Sequence, residues 1–285
     1  MILVTWNTQW CRGVDGNVDP ARIVSEAKRL ADFDVLCLQE IADNYPDPLL
    51  PKHPGDDQFA RLAELLPDYA AIAAPAVDVP GQGKARRRFG NMILSRLPVR
   101  QVFRHLLPFP VDAGVKAMPR IAVEATVAAA FGDVRVITTH LEYYSKKQRT
   151  AQVEALRAIY AEGWHHAREG TITERAGNPF HTYLRPDATL VCGDFNFEPQ
   201  DPLHARMLDT FDDGSPPLRD AWDIAHAGVA HPPTTKIYLK DRPDEAEEHC
   251  DFVFVNAALV PRVRSVVVDV QTQAADHQPI IVTLA

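Results

Sequence analysis

Cysteine is scarce in this chain and follows no recognisable pattern. Four cysteines occur in 285 residues, and none are spaced as a C-x-x-C pair or as the ligands of a zinc finger. Cys37 and Cys192 lie inside apolar stretches, where a free thiol behaves as a small hydrophobic side chain. The pattern therefore predicts buried, reduced cysteines and gives no support to a redox function.

Long apolar runs and a basic leader segment are also lacking. The longest apolar runs, such as 127–131 and 266–268, are far shorter than the roughly 20 residues that cross a bilayer as a helix. The first residues contain no basic segment and no small-residue cleavage site, so they do not resemble a signal peptide. These absences predict a cytoplasmic protein without stable membrane insertion.

Positive charge is in deficit, with 30 Lys and Arg against 38 Asp and Glu and a formal net charge of −8. Proteins that bind duplexes usually carry a basic face, so the charge argues against a broad nucleic-acid footprint without excluding a nuclease. The basic stretch 84–88 is interpreted first as a solvated loop, and second as a contact for a phosphate-rich substrate.

Strand-like segments outnumber helical ones, and the two kinds are interleaved along the chain. Strands are predicted at 2–6, 34–38, 91–94, 99–107, 121–127, 134–138, 189–192, 252–255, 263–270 and 280–284. Helices are predicted after Asp19, over 57–66 and 146–161, and as short turns at 203–208 and 218–224. The pattern predicts an α/β fold with two packed β-sheets flanked by helices, in a single domain over 1–285. The loops 81–88, 162–185 and 231–248 are expected to shape a pocket.

Polar residues stand where several of the apolar strands end. They are Asn7, Glu40, His140, the pair Asp194 and Asn196, and the pair Asp276 and His277. Functional groups of α/β proteins commonly gather on loops at one edge of a rigid sheet. One such placement is unremarkable, but five together predict a functional site.

Glu40 and Asn7 together suit a hard cation. A surface glutamate at the start of a loop is the simpler interpretation of Glu40 alone. Mg²⁺, however, takes one or two protein carboxylates and keeps its other positions for water and phosphate. Glu40 with the carboxamide of Asn7 can provide such a sparse oxygen site.

The segment Gly193-Asp194-Phe195-Asn196 suggests a catalytic base and its neighbour. In an extended backbone, residues two apart point to the same side, so Asp194 and Asn196 are predicted to share a face. An ionised Asp194 could deprotonate a water, and Asn196 could donate a hydrogen bond to a phosphoryl oxygen. The alternative interpretation is a simple Asx turn after a strand.

His277 is predicted to work with a carboxylate. Asp251 opens a strand and is a plausible orienting partner, and a nearby carboxylate favours the charged imidazole. A charged imidazole beside a phosphate stabilises the transition state of its hydrolysis. A core histidine with satisfied hydrogen bonds is the alternative for His277 or His140 taken singly.

Seven motifs occur in an order that resembles one known family. They are Thr5-Trp6-Asn7, Leu38-Gln39-Glu40, Gly90-Asn91-Met92-Ile93-Leu94-Ser95, Thr139-His140-Leu141, Gly193-Asp194-Phe195-Asn196, Asp251-Phe252-Val253 and Asp276-His277. The set resembles the endonuclease/exonuclease/phosphatase superfamily and spans nearly the whole chain. The resemblance implies a four-layered α/β sandwich with two packed mixed β-sheets, as in deoxyribonuclease I.

The resemblance also implies a role for each residue. Glu40 would bind Mg²⁺, for which Mn²⁺ can substitute, with Asn7 close to the metal and Asp276 near a second metal position. Asp194 would activate water and Asn196 would help to hold it. His277, oriented by Asp251, would contact the scissile phosphate, and His140 would donate to a phosphate oxygen. Asn91 matches a family asparagine near the phosphate.

The sequence thus predicts a Mg²⁺-dependent phosphoester hydrolase of the phosphodiesterase or nuclease type. The Thr139-His140 form resembles the deoxyribonuclease I, sphingomyelinase and phosphatase branches more than the exonuclease III-type repair nucleases. A phosphomonoesterase of the same fold and a non-catalytic phosphate-binding module are the alternatives. The substrate is expected to be a nucleic acid, a phospholipid head group or a small phosphodiester, and the sequence indicates no oligomeric state.

Overall fold

Helices are interleaved among the strands of this chain, which the computed structural model describes over residues 1–172, 174, 177–238 and 246–285. The strands are β1 (Ile2–Asn7), β2 (Val35–Asp43), β3 (Ala70–Pro80), β4 (Arg86–Ser95), β5 (Val99–Leu106), β6 (Ile121–Ala129), β7 (Gly132–His140), β8 (Thr189–Asp194), β9 (Arg219–Asp220), β10 (Asp251–Val255), β11 (Val263–Val268) and β12 (Ile280–Leu284). The helices are α1 (Pro20–Leu30), α2 (Gln58–Leu65), α3 (Lys146–Glu169), α4 (Pro202–Leu208) and α5 (Ala221–Ala225), and a 3₁₀ turn covers Val260–Arg262.

The strands form two six-stranded mixed sheets. The first has the order β11-β12-β1-β2-β4-β3, and the second has the order β5-β6-β7-β8-β10-β9. Each sheet is centred on one parallel pair, β1 with β2 and β7 with β8, and the other neighbours are antiparallel. The predicted pair of packed, mixed sheets is confirmed.

Strand alternation fixes which residues meet between the sheets. Leu3 of β1 and Cys37 of β2 pack against Val136 of β7 and Cys192 of β8 in one apolar core. Residues one position away along each strand face outwards instead, because successive side chains point to opposite faces. Val4 of β1 therefore packs towards the outer helices.

Helices cover both outer faces and complete the four layers. Residues of α1 and α2 pack on the first sheet, and residues of α3 and α4 pack on the second. Asp19 caps the start of α1 as predicted, because its carboxylate accepts hydrogen bonds from the backbone N–H of Ala21 and Arg22, and Pro20 follows at the first helical position.

Strand β3 is absent from the sequence prediction. Its segment is rich in alanine and contains Pro75 and Pro80, which are poor strand signals. The strand forms because it lies at the edge of the first sheet, where proline needs no ladder partner for its missing N–H. A register shift between Pro75 and Val77 absorbs the irregularity.

The interpretation of 84–88 as a solvated loop is wrong for its second half. Strand β4 begins at Arg86, and the guanidinium groups pair with carboxylates rather than with solvent alone. Arg86 Nε lies 2.6 Å from Asp78 Oδ1, and Arg88 lies 2.8 Å from both Asp43 and Asp57.

Helix α3 continues to Glu169, eight residues beyond the predicted end at Ala161. The apolar pattern stops early because Gly163 replaces a larger side chain on the buried face. A Cβ at Gly163 would collide with the guanidinium of Arg135, which is buried there and bonded to the carboxylate of Glu124. The glycine accommodates a buried ion pair, and the helix continues past it.

All four cysteines are free and buried, as predicted. Among the described residues, no helix combines the length and the apolar character that crossing a bilayer requires.

Candidate active site

The inward faces of both sheets carry polar residues at one edge. Strands β1, β7 and β8 end at Asn7, His140 and Asp194. Strand β10 begins at Asp251, which pairs with Asp194 because the two strands are antiparallel. The ends of the parallel strands and the start of the antiparallel strand β10 therefore meet at this edge. This is the arrangement that the sequence predicted for these four residues.

Glu40 reaches this edge in a different way from the one predicted. It does not follow a strand but lies within β2, which continues to Asp43. The pairing of β2 with β4 shifts register between Leu38 and Ile41, and Glu40 has a positive φ of 61°. This irregularity has the form of a β-bulge, a feature enriched beside active sites.

A pocket of about 870 Å³ opens at this edge. Its walls include most of the predicted site residues, namely Glu40, His140, Asp194, Asn196, Asp276 and His277. Asn7 and Asp251 lie directly behind these residues and hold them.

Asn7 connects the two sheets. Its amide Nδ2 donates to Asp194 Oδ2 at 2.9 Å and lies 3.3 Å from Glu40 Oε1. Its Oδ1 accepts a hydrogen bond from the backbone N–H of Gln9 at 3.1 Å. The amide nitrogen thus faces the two carboxylates, and the oxygen would face a cation only after a half-turn of the amide group.

Asp194 and Asn196 form a tight turn rather than an extended pair. Asn196 has a positive φ of 53°, and its backbone N–H donates to Asp194 Oδ1 at 2.9 Å. The prediction of a shared face by extended geometry is therefore wrong, and the Asx turn is present. The turn nevertheless keeps Asn196 on the pocket wall, where its Nδ2 donates to the carbonyl of Leu141.

His277 is held by Asp251 as predicted. Its Nδ1 lies 2.9 Å from Asp251 Oδ2, and its Nε2 lies 3.8 Å from Asp194 Oδ2. Burial opposes a charged ring, but the Asp251 carboxylate outweighs it and raises the pKa of His277 well above its ordinary value. The Asp251 carboxylate therefore favours the charged form of His277, whose Nε2 is directed at Asp194.

His140 lies between two carboxylates but is electrostatically unlike His277. Its Nε2 is 3.5 Å from Asp194 Oδ2, and its Nδ1 is 3.9 Å from Glu40 Oε1. Burial, and next the positive charge of Arg120, lower the pKa of His140 to about 3. One neutral and one charged imidazole thus flank Asp194.

Glu40 and Asp276 bring two carboxylates to the pocket wall. Burial, and next the charge of Asp276, raise the pKa of Glu40 to about 7, and burial also raises the pKa of Asp276. Oδ1 of Asp276 is buried and has no hydrogen-bond partner among the described residues. Two carboxylates destabilised by burial and an orphaned oxygen are features that a divalent cation would relieve.

Asn91 lies outside the main pocket. Its side chain is buried, and its Nδ2 donates to the carbonyl of Ile121 across the two sheets at 2.9 Å. It lines a small recess that it shares with His140. Its predicted contact with the substrate stays a prediction.

Two residues of the site were missed by sequence reasoning. Gln9 donates from Nε2 to Asp276 Oδ2 at 2.5 Å, and it lies in a run of three left-handed residues that no sequence signal indicates. Arg120 lines the pocket and is held by Glu142 at 3.2 Å. Its position just before β6 was a usable signal, because β6 is antiparallel to β7 and therefore starts where β7 ends.

Of the three loops expected to shape the pocket, only 231–248 contributes described residues to the pocket wall. Thr235, Lys236, Tyr238 and Glu248 of the loop 231–248 line the pocket. The described residues of 81–88 and 162–185 do not line it, and part of each range belongs to a regular element, 86–88 to β4 and 162–169 to α3. Residues 239–245 of the first loop, and 173, 175 and 176 of the last, lie outside the described part of the chain.

Two six-stranded sheets, helices on both outer faces and a carboxylate–imidazole cluster where the sheets meet define a sandwich of the deoxyribonuclease I-like class. A sequence profile of the Endonuclease/Exonuclease/phosphatase family matches residues 4–277. The chain therefore belongs to this family, whose members hydrolyse phosphoester bonds. The sequence matches no curated protein at a significant level.

Solved structures share the fold at low sequence identity. An endonuclease/exonuclease/phosphatase from Beutenbergia cavernae is 23% identical with a TM-score of 0.69, covering 100% of this chain and 72% of the other. The mannosyl-6-phosphatase Bt3783 of Bacteroides thetaiotaomicron is 15% identical with a TM-score of 0.64, covering 100% and 99%. D. rerio TDP2 in complex with a single-strand DNA product is 17% identical with a TM-score of 0.64, covering 100% and 98%.

Proposed function

We propose that this protein is a Mg²⁺-dependent phosphoester hydrolase of the phosphodiesterase or nuclease type. The observation that carries the proposal is the contact of Asp194 with Asn7 from the facing sheet, beside the His277–Asp251 pair. A carboxylate suited to act as a base, an imidazole held by a carboxylate and further carboxylates around one pocket support the proposal. Family membership supports the reaction class.

Glu40 and Asp276 are the proposed metal ligands, with Asn7 beside them. Their carboxylate oxygens suit Mg²⁺ or Mn²⁺, which prefer hard oxygen ligands. A bound Mg²⁺ would supply Lewis-acid stabilisation of the phosphoryl and leaving oxygens. Gln9 holds Asp276 at 2.5 Å, and Asn7 holds Glu40, so each proposed ligand is oriented by an amide.

Asp194 is the proposed general base. The hydrogen bonds from Asn7 Nδ2 and the backbone N–H of Asn196 fix its carboxylate. The base accepts a proton from a water aligned with phosphorus, and the hydroxide attacks opposite the leaving oxygen. Asn196 lines the same wall and orients that water.

His277 and His140 are the proposed phosphate contacts. The charged ring of His277, kept in place by Asp251, stabilises the negative charge that develops on the phosphoryl oxygens. His140 is neutral and can donate one hydrogen bond to a phosphate oxygen. Asn91 stands behind His140 as a proposed phosphate-side residue.

Monoester cleavage is the second candidate for the same site. The mannosyl-6-phosphatase shares the fold, whereas TDP2 was solved with a single-strand DNA product. The pocket volume of about 870 Å³ is much larger than one phosphate group and leaves room for substituents on both sides of it. This room favours a diester such as a nucleic acid, a phospholipid head group or a small phosphodiester. A non-catalytic phosphate-binding module is the remaining alternative.

A pair of chromogenic substrates tests the proposal. Bis-p-nitrophenyl phosphate and p-nitrophenyl phosphate report diester and monoester cleavage, each with Mg²⁺, with Mn²⁺ and with EDTA. Asp194→Ala and His277→Ala should abolish the metal-dependent rate, while the surface changes Asp68→Ala and His165→Ala should not. Activity that survives both EDTA and the two site substitutions would refute the mechanism. Phosphate binding without turnover of any phosphoester would favour the binding module.

A further inference from the structure

A second cluster of ionisable side chains lies apart from the candidate active site. His204 comes from α4, Asp220 from the end of β9, and His231 from the segment after α5. Oδ2 of Asp220 lies 3.0 Å from Nε2 of His204 and 3.0 Å from Nε2 of His231. None of these three residues is among the described residues that line the active-site pocket.

Strand β10 separates the two clusters. Asp251 faces the active site, so the next residue, Phe252, points to the opposite face of the sheet. The ring centroid of Phe252 lies 5.0 Å from that of His204 and 5.7 Å from that of His231. The second cluster therefore belongs to the outer layer of the second sheet, against an aromatic surface.

The donor set and its spacing suit zinc. The two imidazole nitrogens and the carboxylate oxygen all lie within 4.8 Å of one another. The side chains of His204, Asp220 and His231 are only 9%, 1% and 8% exposed. Tetrahedral Zn²⁺ with bonds of about 2.0–2.1 Å places its ligand atoms roughly 3.3 Å apart. Each imidazole nitrogen lies 3.0 Å from Oδ2 of Asp220, so these two nitrogen–oxygen distances need to widen by only a few tenths of an ångström.

His249 provides an independent indication of a ligand. Its Nδ1 lies 2.6 Å from the carbonyl oxygen of Pro232, so this nitrogen carries the proton and Nε2 carries a lone pair. Nε2 of His249 is buried and has no hydrogen-bond partner among the described residues, and the residue is 6% exposed. Its ring centroid lies 4.6 Å from that of His231. The ring of His249, whose Nε2 has no partner among the described residues, thus adjoins the ring of His231 in the cluster.

We propose that His204, Asp220 and His231 form a structural zinc site, with His249 or a water molecule as the fourth ligand. Zn²⁺ takes the place of the two Nε2–H···Oδ2 hydrogen bonds. Each of His204 and His231 must therefore carry its proton on Nδ1, which leaves Nε2 to bind the metal. The other oxygen of Asp220 accepts a hydrogen bond from the backbone N–H of Trp222 at 2.8 Å, which orients the carboxylate from behind.

Such a site would stabilise the segment that supports the active site. Thr234 follows His231 closely, and its Oγ1 accepts hydrogen bonds from the backbone N–H of Cys250 at 3.1 Å and of Asp251 at 3.3 Å. Zinc at His231 would therefore anchor the chain that holds the strand start carrying Asp251.

Zinc titration of the chelator-treated, full-length protein tests the site. Calorimetry and elemental analysis are expected to give a bound zinc that is retained in Glu40→Gln, which alters the proposed active-site metal ligands, and lost in His231→Gln. Glutamine can still donate to Asp220 but lacks the imidazole nitrogen. The zinc Kd of His231→Gln should exceed that of the wild type by more than the 10–100-fold that losing an outer-shell partner typically costs. Zn²⁺ should raise the Tm of the wild type and leave that of His231→Gln unchanged.

Co²⁺ substitution and crystallography make the test independent of any variant. Co²⁺ should give the visible absorption of a tetrahedral site, and crystals soaked in Zn²⁺ should show an anomalous peak among the three ligand atoms. Zinc that binds only at the active site beside Glu40 and Asp276, equal zinc content in wild type and His231→Gln, or no zinc bound by the wild type would overturn the proposal. The cluster would then be a hydrogen-bonded network only.

Discussion

Asp251 lies opposite Asp194 in the ladder between β8 and β10, yet its carboxylate binds Nδ1 of His277 at 2.9 Å. Two aspartates on neighbouring strands thus serve different partners: one holds the imidazolium, and the other faces the pocket. This division of partners lets one site hold both the proposed base and a positive charge.

Asp251→Asn should therefore reduce activity and shift its pH dependence. The Asp251 carboxylate raises the pKa of His277, so His277 stays charged to higher pH in the wild type. Its loss lowers that pKa, and the decline of kcat/KM on the alkaline side should begin at lower pH. At neutral pH we expect a fall of about 10²-fold, the scale of losing one electrostatic contact to the transition state. An unchanged alkaline limb, with Asp68→Asn as the control, would contradict this role.

Asp194→Asn should abolish most catalysis without unfolding the protein. The amide can still accept the hydrogen bond from the backbone N–H of Asn196, so the turn is preserved. We expect kcat to fall by about 10²–10⁴-fold, the usual contribution of a general base, with little change in Tm. Steady-state kinetics and thermal unfolding measure the two effects. A large loss of Tm would instead assign Asp194 a mainly structural role.

Glu40→Gln should weaken the response to metal. Glutamine has the same length and can still accept from Asn7, but it lacks the charge that a divalent cation needs. The Mg²⁺ concentration at half-maximal activity should rise at least about tenfold. Activity measured over a Mg²⁺ series after EDTA treatment tests this. An unchanged Mg²⁺ requirement would exclude Glu40 as a ligand.

Gly193→Ala should disturb the site through the backbone. Gly193 has a φ of +132°, and a Cβ there would collide with the carbonyl oxygen of Thr139 on β7. Gly132→Ala is a matched control, because Gly132 has a φ of +124° and no atom within 4 Å of the added Cβ. Gly193→Ala should cost about 1–3 kcal/mol more than Gly132→Ala in the free energy of unfolding. Equal destabilisation of the two variants would show that β7 and β8 can move apart at Gly193 without a cost in free energy.

Glu124→Gln should destabilise the fold in a pH-dependent way. Glu124 is fully buried, and although burial opposes its charge, His105, Arg135 and Arg185 lower its pKa to about 2. Its stabilisation is present above the ordinary pKa of about 4.3 and is lost as the pH falls towards 2. The variant should be about 3–5 kcal/mol less stable at pH 7, and the difference should shrink near pH 3. Urea unfolding at both values measures it; a difference independent of pH would contradict the assignment.

Much of the fold follows from local patterns that the sequence displays. The apolar runs that end in Asn7, His140 and Asp194 give both the central strands and the edge at which they meet. Family motifs add the pairing of Asp251 with His277. Strand β3 does not follow, because its proline-containing pattern is tolerated only at a sheet edge, which is a tertiary condition. Gln9 does not follow either, since its role depends on which loop lies beside which strand, whereas the position of Arg120 just before β6 does indicate its place at the site.

The register shift in β2 determines more than the shape of one strand. Leu36 and Leu38 face the outer helices, and unbroken alternation would send Glu40 the same way, because the side-chain period of a strand is two. The extra residue turns the carboxylate inwards to Asn7. An insertion or deletion of one residue here would therefore turn the Glu40 carboxylate away from the pocket, although every motif would still be recognisable in the sequence. For relatives of this chain, the spacing between Leu38 and Ile41 is as informative about activity as the presence of the glutamate.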